Sequence, residues 1–246
     1  MRKTLLGLMA VLAAVLVVPT AAGASNRNGY GSSREAQVYV VHGLPLPDSA
    51  TGPGTPVDVY VNGKRLLDDF TFGRTVGPVS LPAGDYDVQI RTPDGSTTLI
   101  QRTVAVPATG SFSLVASYVD AAGTPGINVF ANDTSRPWRG FGAIALHHAA
   151  AAPAVDVDLG LFPYTRKLPW LKLQVVSGAA NGAQARFVLP SAAAYTADVR
   201  VAGTRQVVLP LDDVRVKRNT LTNVYVVGSA AAGTLQALVS SVPVSR

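Results

Sequence analysis

The 246-residue chain has no cysteine, three histidines, and 21 Lys+Arg against 15 Asp+Glu, a formal charge of +6. The missing cysteine excludes thiol catalysis, thiolate metal sites and disulfide staples, so each domain must rest on its apolar core. The basic residues are scattered rather than massed, which excludes a nucleic-acid footprint and leaves weak attraction to anionic envelope polymers.

Met1–Ala24 has a charged start (Arg2, Lys3), an uncharged apolar run (Leu5–Val18) and small residues at Ala22-Gly23-Ala24. This layout predicts a secretory signal peptide (residues 1–24) cleaved after Ala24. The alternative, a membrane anchor, would need Thr4–Ala22 to span a bilayer that it barely reaches. The product would be secreted or held at the cell envelope. No cysteine is present downstream to carry a lipid, and no second long apolar stretch predicts stable membrane insertion after cleavage.

Residues 25–34 read as a flexible N-terminal segment. From Glu35 onward the chain reads as short strands. Val57–Val61 alternates and then meets Asn62-Gly63, whose tolerance of positive φ predicts a type I′ hairpin into Lys64–Leu67. Asp87–Thr92, Pro93-Asp94-Gly95-Ser96 and Thr97–Val106 read as a second hairpin. Ser111–Val119 and Ile127–Ala131 flank an Ala-Ala-Gly turn. Ser135–Gly140 then interrupts the strand pattern as a linker (residues 135–140).

The second half of the chain repeats the first. His42 answers to His148 (106 positions on), Asp58 to Asp156 (98), Leu81 to Leu189 (108) and Gly123 to Gly233 (110). Ala197–Val201, Ala202-Gly203 and Thr204–Leu209 repeat the second hairpin, and Leu221–Gly228 with Thr234–Ser240 repeat the closing strands. Slips of offset between matched elements are what loops on a common scaffold produce. The changes come from a Pro47–Pro56 loop present in the first copy alone and a longer stretch between Asp156 and Leu189 in the second.

About seven short strands per hundred residues, with Gly/Pro turns between them, predict an all-β protein of two tandem immunoglobulin-like β-sandwich domains. The first spans residues 35–134 and the second 141–246, with so short a linker that the two should touch. Tyr86, after Leu81-Pro82-Ala83-Gly84-Asp85, and Tyr195 are expected to form tyrosine corners, hydrogen-bonding back to the chain. Trp138 and Phe141 are expected to help pack the copies together.

The blocks Val40-Val41-His42, Pro56–Gly63, Leu81–Tyr86, Ala121-Ala122-Gly123 and Phe130–Thr134 resemble the bacterial domain of unknown function 4397. So do His148 with Ala151–Val157, and Tyr225–Ser229. The resemblance implies a secreted or surface-associated bacterial protein of β-rich tandem repeats, and it implies no reaction. The second copy departs from it at Asp158–Lys167, where the Asn-Gly hairpin should stand.

Two residue sets could carry chemistry. His42 with Asp58, and His148 with Asp156, could each be an imidazole oriented by a carboxylate, as general base or metal ligand. A triad would need an activated hydroxyl, and no Gly-x-Ser-x-Gly elbow supplies one. Zinc would need more convergent ligands. Recurrence in both copies makes scaffold the preferred role. The second set is Phe162, Tyr164, Arg166, Lys167, Trp170 and Lys172, whose aromatic-basic mixture suits stacking on a sugar or anchoring a protein. The pairs Asp68-Asp69 and Asp212-Asp213 lack the spacing of a calcium loop and read as solvated charges.

The function expected is a non-enzymatic binding, adhesive or structural module, without cofactor. Its partner would be an unknown protein or a cell-wall polysaccharide. The alternatives are an envelope carbohydrate-active enzyme or its accessory domain, and a metal-binding exported protein.

Overall fold

The computed structural model describes residues 35–45, 56–162, 167 and 172–244. The predicted signal peptide, the 25–34 segment and most of the Pro47–Pro56 loop lie outside the described residues. Strands of the first half are β1 (Glu35–His42), β2 (Val57–Val61), β3 (Lys64–Phe70), β4 (Thr75–Pro82), β5 (Gly84–Arg91), β6 (Thr98–Val106), β7 (Ser111–Tyr118) and β8 (Pro125–Ala131). Those of the second are β9 (Phe141–His148), β10 (Val155–Leu161), β11 (Leu173–Ala179), β12 (Gln184–Pro190), β13 (Ala194–Val201), β14 (Val207–Arg215), β15 (Thr220–Val227) and β16 (Gln236–Pro243). Among the described residues no helix is long and apolar enough to cross a membrane.

The eight strands of each half make two four-stranded sheets. Their orders are β4-β1-β7-β8 and β3-β2-β5-β6 in the first half, and β12-β9-β15-β16 and β11-β10-β13-β14 in the second. Strand for strand the orders are the same, so the protein is two β-sandwich domains with one topology. In each, the first and seventh strands pair in parallel, β1 with β7 and β9 with β15. The remaining strand pairs are antiparallel.

Turn chemistry behaves as its residues require. Asn62 (φ 50°) and Gly63 (φ 76°) hold the tight β2–β3 turn. Asp94 Oδ1 accepts the Ser96 N–H at 3.1 Å in the β5–β6 turn. Both tyrosine corners are formed: the Tyr86 hydroxyl donates to Pro82 O and the Tyr195 hydroxyl to Pro190 O, each at 2.9 Å.

Each sandwich has its own core. Val38, Val57, Val59, Phe70, Val88, Ile90, Leu114 and Ile127 fill the first. Ile144, Leu146, Val155, Val157, Phe187, Val199, Val224 and Val226 fill the second. Two further clusters lie between the domains. Val41, Val115 and Phe130 pack with Ala149, Tyr225 and Val227, and Tyr39 packs with Ala143, Ala145, Leu221 and Val242.

The β1 and β9 sheets therefore meet face to face as the middle layers of a four-layer stack. Gly43 shows how close the layers come: a Cβ there would stand 2.7 Å from Val227 Cγ1. The sequences of the middle strands reflect burial on both faces. β9 and β15 are buried along nearly their whole lengths, without the alternation seen in β6 or β14. Near-continuous apolar runs are what doubly covered, parallel-paired strands require. Burying six apolar side chains in the larger inter-domain cluster contributes on the order of 10 kcal/mol, so the domains do not swing on their linker.

Candidate functional site

Each candidate histidine ends the first strand of its domain, and each candidate aspartate opens the second. His42 is buried against Phe70 and Phe72, with ring centroids at 5.7 and 6.1 Å. Neither of its ring nitrogens has a hydrogen-bond partner among the described residues. Desolvation lowers its pKa to about 4, so the ring is neutral at physiological pH. Asp58 is engaged elsewhere: its Oδ1 accepts the Asp69 N–H and its Oδ2 the Arg65 Nη1–H, both at 3.1 Å. This carboxylate ties β2 to the β3 bulge, where Asp69 has φ 47°.

The second copy repeats the arrangement with other partners. His148 Nε2 lies 3.1 Å from Pro153 O, and burial lowers its pKa. The same ring borders a largely apolar pocket of about 190 Å³. Asp156 receives the backbone N–H of Gly178 at 2.8 Å and of Gly203 at 2.9 Å. Those two donors hold its carboxyl below the usual carboxylate range. Neither histidine is hydrogen-bonded to its expected aspartate, so the geometry joins neither pair into a base or a metal site.

Asp58, Asp68 and Asp69 do converge, with one oxygen of each within 4.8 Å of the others. A cation already sits there. Arg65 Nη1 lies 3.1 Å from Asp58 and 2.9 Å from Asp68.

Of the aromatic-basic set, Tyr164, Arg166 and Trp170 lie outside the described residues. Phe162 continues the sheet, its N–H donating to Ala194 O at 3.0 Å. Lys167 is exposed. Lys172 is ion-paired to the buried Asp198, a structural role pinning β11 to β13. Beside it Arg200 grips Asp158 with two bonds, at 2.7 and 2.9 Å. Trp138 does not seal the joint between the domains: it is 79% exposed, edge-on to Phe141 at 6.0 Å.

Two features escaped sequence reasoning. The first is a buried polar network in the seam between the middle sheets. Tyr225 donates its hydroxyl to Ser113 Oγ at 2.7 Å, and Asn223 Nδ2 donates to Asn132 Oδ1 at 2.8 Å. His147 Nε2 lies 3.2 Å from Asn223 Oδ1, and its ring stacks on Tyr225 at 4.7 Å. Burial brings the His147 pKa to about 4. Asn132, the residue after β8, carries one of the hydrogen bonds by which this network crosses between the domains, and Ser113 carries another.

The second feature is an open sandwich edge. In the first domain β6 packs against β8, and Arg102 donates to Ile127 O across the gap. The counterpart of Arg102, judged by its pairing opposite Val88, is Leu211 opposite Ala197. Leu211 cannot make that bond. Immediately after it, Asp212 and Asp213 together oppose the single residue Thr196, a bulge with Asp213 at φ 53°. A cleft of about 450 Å³ opens here between β14 and β16.

One wall of this cleft is Pro210–Arg215, and the other carries Thr222, Val224, Ala237, Val239 and Ser241, with Lys217 at the turn. Val239 is 63% exposed, and the Thr222 hydroxyl is buried without a partner among the described residues. At the rim Asp213 pairs with Arg215 at 3.0 Å. The arrangement offers an aliphatic floor, hydroxyls and fixed charges of both signs, with no imidazole or nucleophile–base pair among the lining residues.

Residues 36–158 match the family described as Domain of unknown function (DUF4397). The chain belongs to the DUF4397 family. No curated protein matches it. Among solved structures, the TIE protein of Bacillus anthracis is 13% identical, with 79% of this chain and 33% of that one covered at a TM-score of 0.22. The DUF4397 chain thus spans about a third of that protein's length. The family 26 carbohydrate-binding module of Amy13K from Eubacterium rectale, solved with maltoheptaose, is 8% identical. The coverage is 86% of this chain and 98% of that one, at a TM-score of 0.25.

Proposed function

We propose that this DUF4397 protein is an exported, non-enzymatic binding module of the cell envelope, with its ligand site in the second domain. The observation that carries this reading is the contrast between the two β14-type edges. One scaffold is built twice, closed by Arg102 in the first copy and opened by the Asp212–Asp213 bulge in the second. Its volume falls in the range of small-ligand sites, roughly 300–1,000 Å³. Aliphatic contacts on the floor and hydroxyl or charged partners at the rim suit one or two sugar units of a wall polysaccharide.

The arrangement speaks against glycoside hydrolysis in this cleft. Hydrolysis needs carboxylates flanking the bond on opposite sides. The two acids lining the cleft, Asp212 and Asp213, are neighbours on one wall, and the facing wall is aliphatic and hydroxylic. The histidine–aspartate pairs are occupied as scaffold.

Sedimentation of the purified chain with cell-wall fractions tests the reading. Wild type is expected to co-sediment, and Val239→Glu, which puts a charge on the cleft floor, to remain in solution. Retention of Val239→Glu with loss in a Phe162/Tyr164/Trp170 triple alanine variant would move the site to the 160–173 segment. Processing of a glycan that is abolished by His42→Ala or His148→Ala would replace the binding reading with an enzymatic one.

A further inference from the structure

A second concavity, of about 280 Å³, lies at the joint between the domains, lined by Arg136, Pro137, Arg139, Gly140, Arg218 and Asn219. Its cations come from two separate places, the β8–β9 connection and the β14–β15 turn. No carboxylate is among its lining residues. Most other described arginines are engaged: Arg65, Arg186, Arg200 and Arg215 are ion-paired, Arg91 lies over the Tyr60 ring at 4.6 Å, and Arg102 bonds a carbonyl. The side chains of Arg136, Arg139 and Arg218 have neither ion pair nor hydrogen bond among the described residues. Like charges gathered around a cavity repel one another, and an anion entering it turns that repulsion into attraction.

The connection is held in place rather than trailing. Arg186 donates to Asp133 O at 3.1 Å and to Ser135 O at 2.8 Å, and Ser191 bonds Gly140 O at 2.9 Å. Between Arg136 and Arg139 stands Trp138 with its indole mostly in solvent. An exposed tryptophan flanked by unpaired guanidiniums combines a flat apolar face with forked donors.

We propose that this basin binds the phosphate group of a phosphorylated saccharide, with the sugar ring lying against Trp138. Phosphate is preferred to carboxylate because a tetrahedral oxyanion takes guanidinium forks from several directions, whereas a carboxylate offers two oxygens in one plane. The proposal rests on the binding-module reading and names its ligand class. The basin and the β14–β16 cleft are lined by consecutive residues of the β14–β15 turn, Arg218 and Lys217.

Calorimetric titration of the purified chain with glucose 1-phosphate, glucose and inorganic phosphate, at low salt, tests it. Glucose 1-phosphate is expected to bind more tightly than either fragment. Arg136→Gln, Arg139→Gln and Arg218→Gln should each weaken it about tenfold, equivalent to about 1.4 kcal/mol. Trp138→Ala should weaken glucose 1-phosphate and leave inorganic phosphate unchanged. The four side chains are exposed, so circular dichroism should show intact folds. Unchanged binding in the triple glutamine variant overturns the proposal, as does equal loss in the remote Lys64→Gln control. Tighter binding of a DNA duplex through the same three arginines overturns it too. Wall co-sedimentation that persists in the triple variant and fails in Val239→Glu would sink this inference alone and leave the binding module standing.

Discussion

Acid should loosen this protein well above the pH at which its carboxylates titrate, and His147 should be a principal cause. Its imidazole lies between Phe130 and Tyr225 in the seam, with ring centroids at 4.6 and 4.7 Å, and desolvation holds its pKa at about 4. His42 is held at about 4 by the same cause. An unfolded imidazole titrates near 6.5, so between about 6.5 and 4 the unfolded chain binds protons that the native chain refuses. Stability is therefore full above about pH 6.5 and falls as pH drops toward 4. Lowering the pH from about 7.5 to 5 costs about 2 kcal/mol for each of the two rings. Urea unfolding followed by circular dichroism at both pH values measures the loss, and His147→Phe should reduce it by about 2 kcal/mol. A variant whose stability falls as steeply with pH as wild type's would refute the assignment of His147 as a buried neutral ring.

Other substitutions separate scaffold from site. Asn223→Ala strips a partner from both Asn132 and His147 and should cost about 2–3 kcal/mol, with a coupling of roughly 1 kcal/mol to Asn132→Ala in a double-mutant cycle. Asp156→Ala leaves the Gly178 and Gly203 N–H groups without their acceptor, and should lower stability by about 2 kcal/mol while wall co-sedimentation below the unfolding range is retained. Tyr86→Phe and Tyr195→Phe should each cost about 1 kcal/mol in urea unfolding. Val239→Glu, at an exposed position, should change stability by under about 0.5 kcal/mol.

Much of the architecture is legible in the sequence because turn chemistry is local. Asn62-Gly63, Asp94-Gly95 and the Leu-Pro before each corner tyrosine state their geometry within a few residues. The middle layers are legible only in retrospect. The runs around Val38–Val41, Ala143–His148 and Val224–Val227 look like ordinary strands until their lack of alternation is taken to mean cover on both faces. Asn132, Ser113 and Asn223 gave no local sign, since each has a partner on the opposite domain, 91 positions away along the chain for Asn132–Asn223 and 112 for Ser113–Tyr225. The open edge left a trace: the offset between copies is 109 at Arg102/Leu211 and 110 at Val104/Val214, and that one-residue slip is the Asp212–Asp213 bulge. The histidine–aspartate pairs drew attention by their chemistry, yet their partners proved to be aromatic rings, backbone groups and an arginine.

The most direct test of the account is amide chemical-shift mapping of the chain titrated with soluble wall polysaccharide. The account predicts perturbations confined to β14, β16, residues 215–219 and residues 136–140. Perturbations centred on His42 and Asp58, or on the first domain's β6–β8 edge, would contradict it.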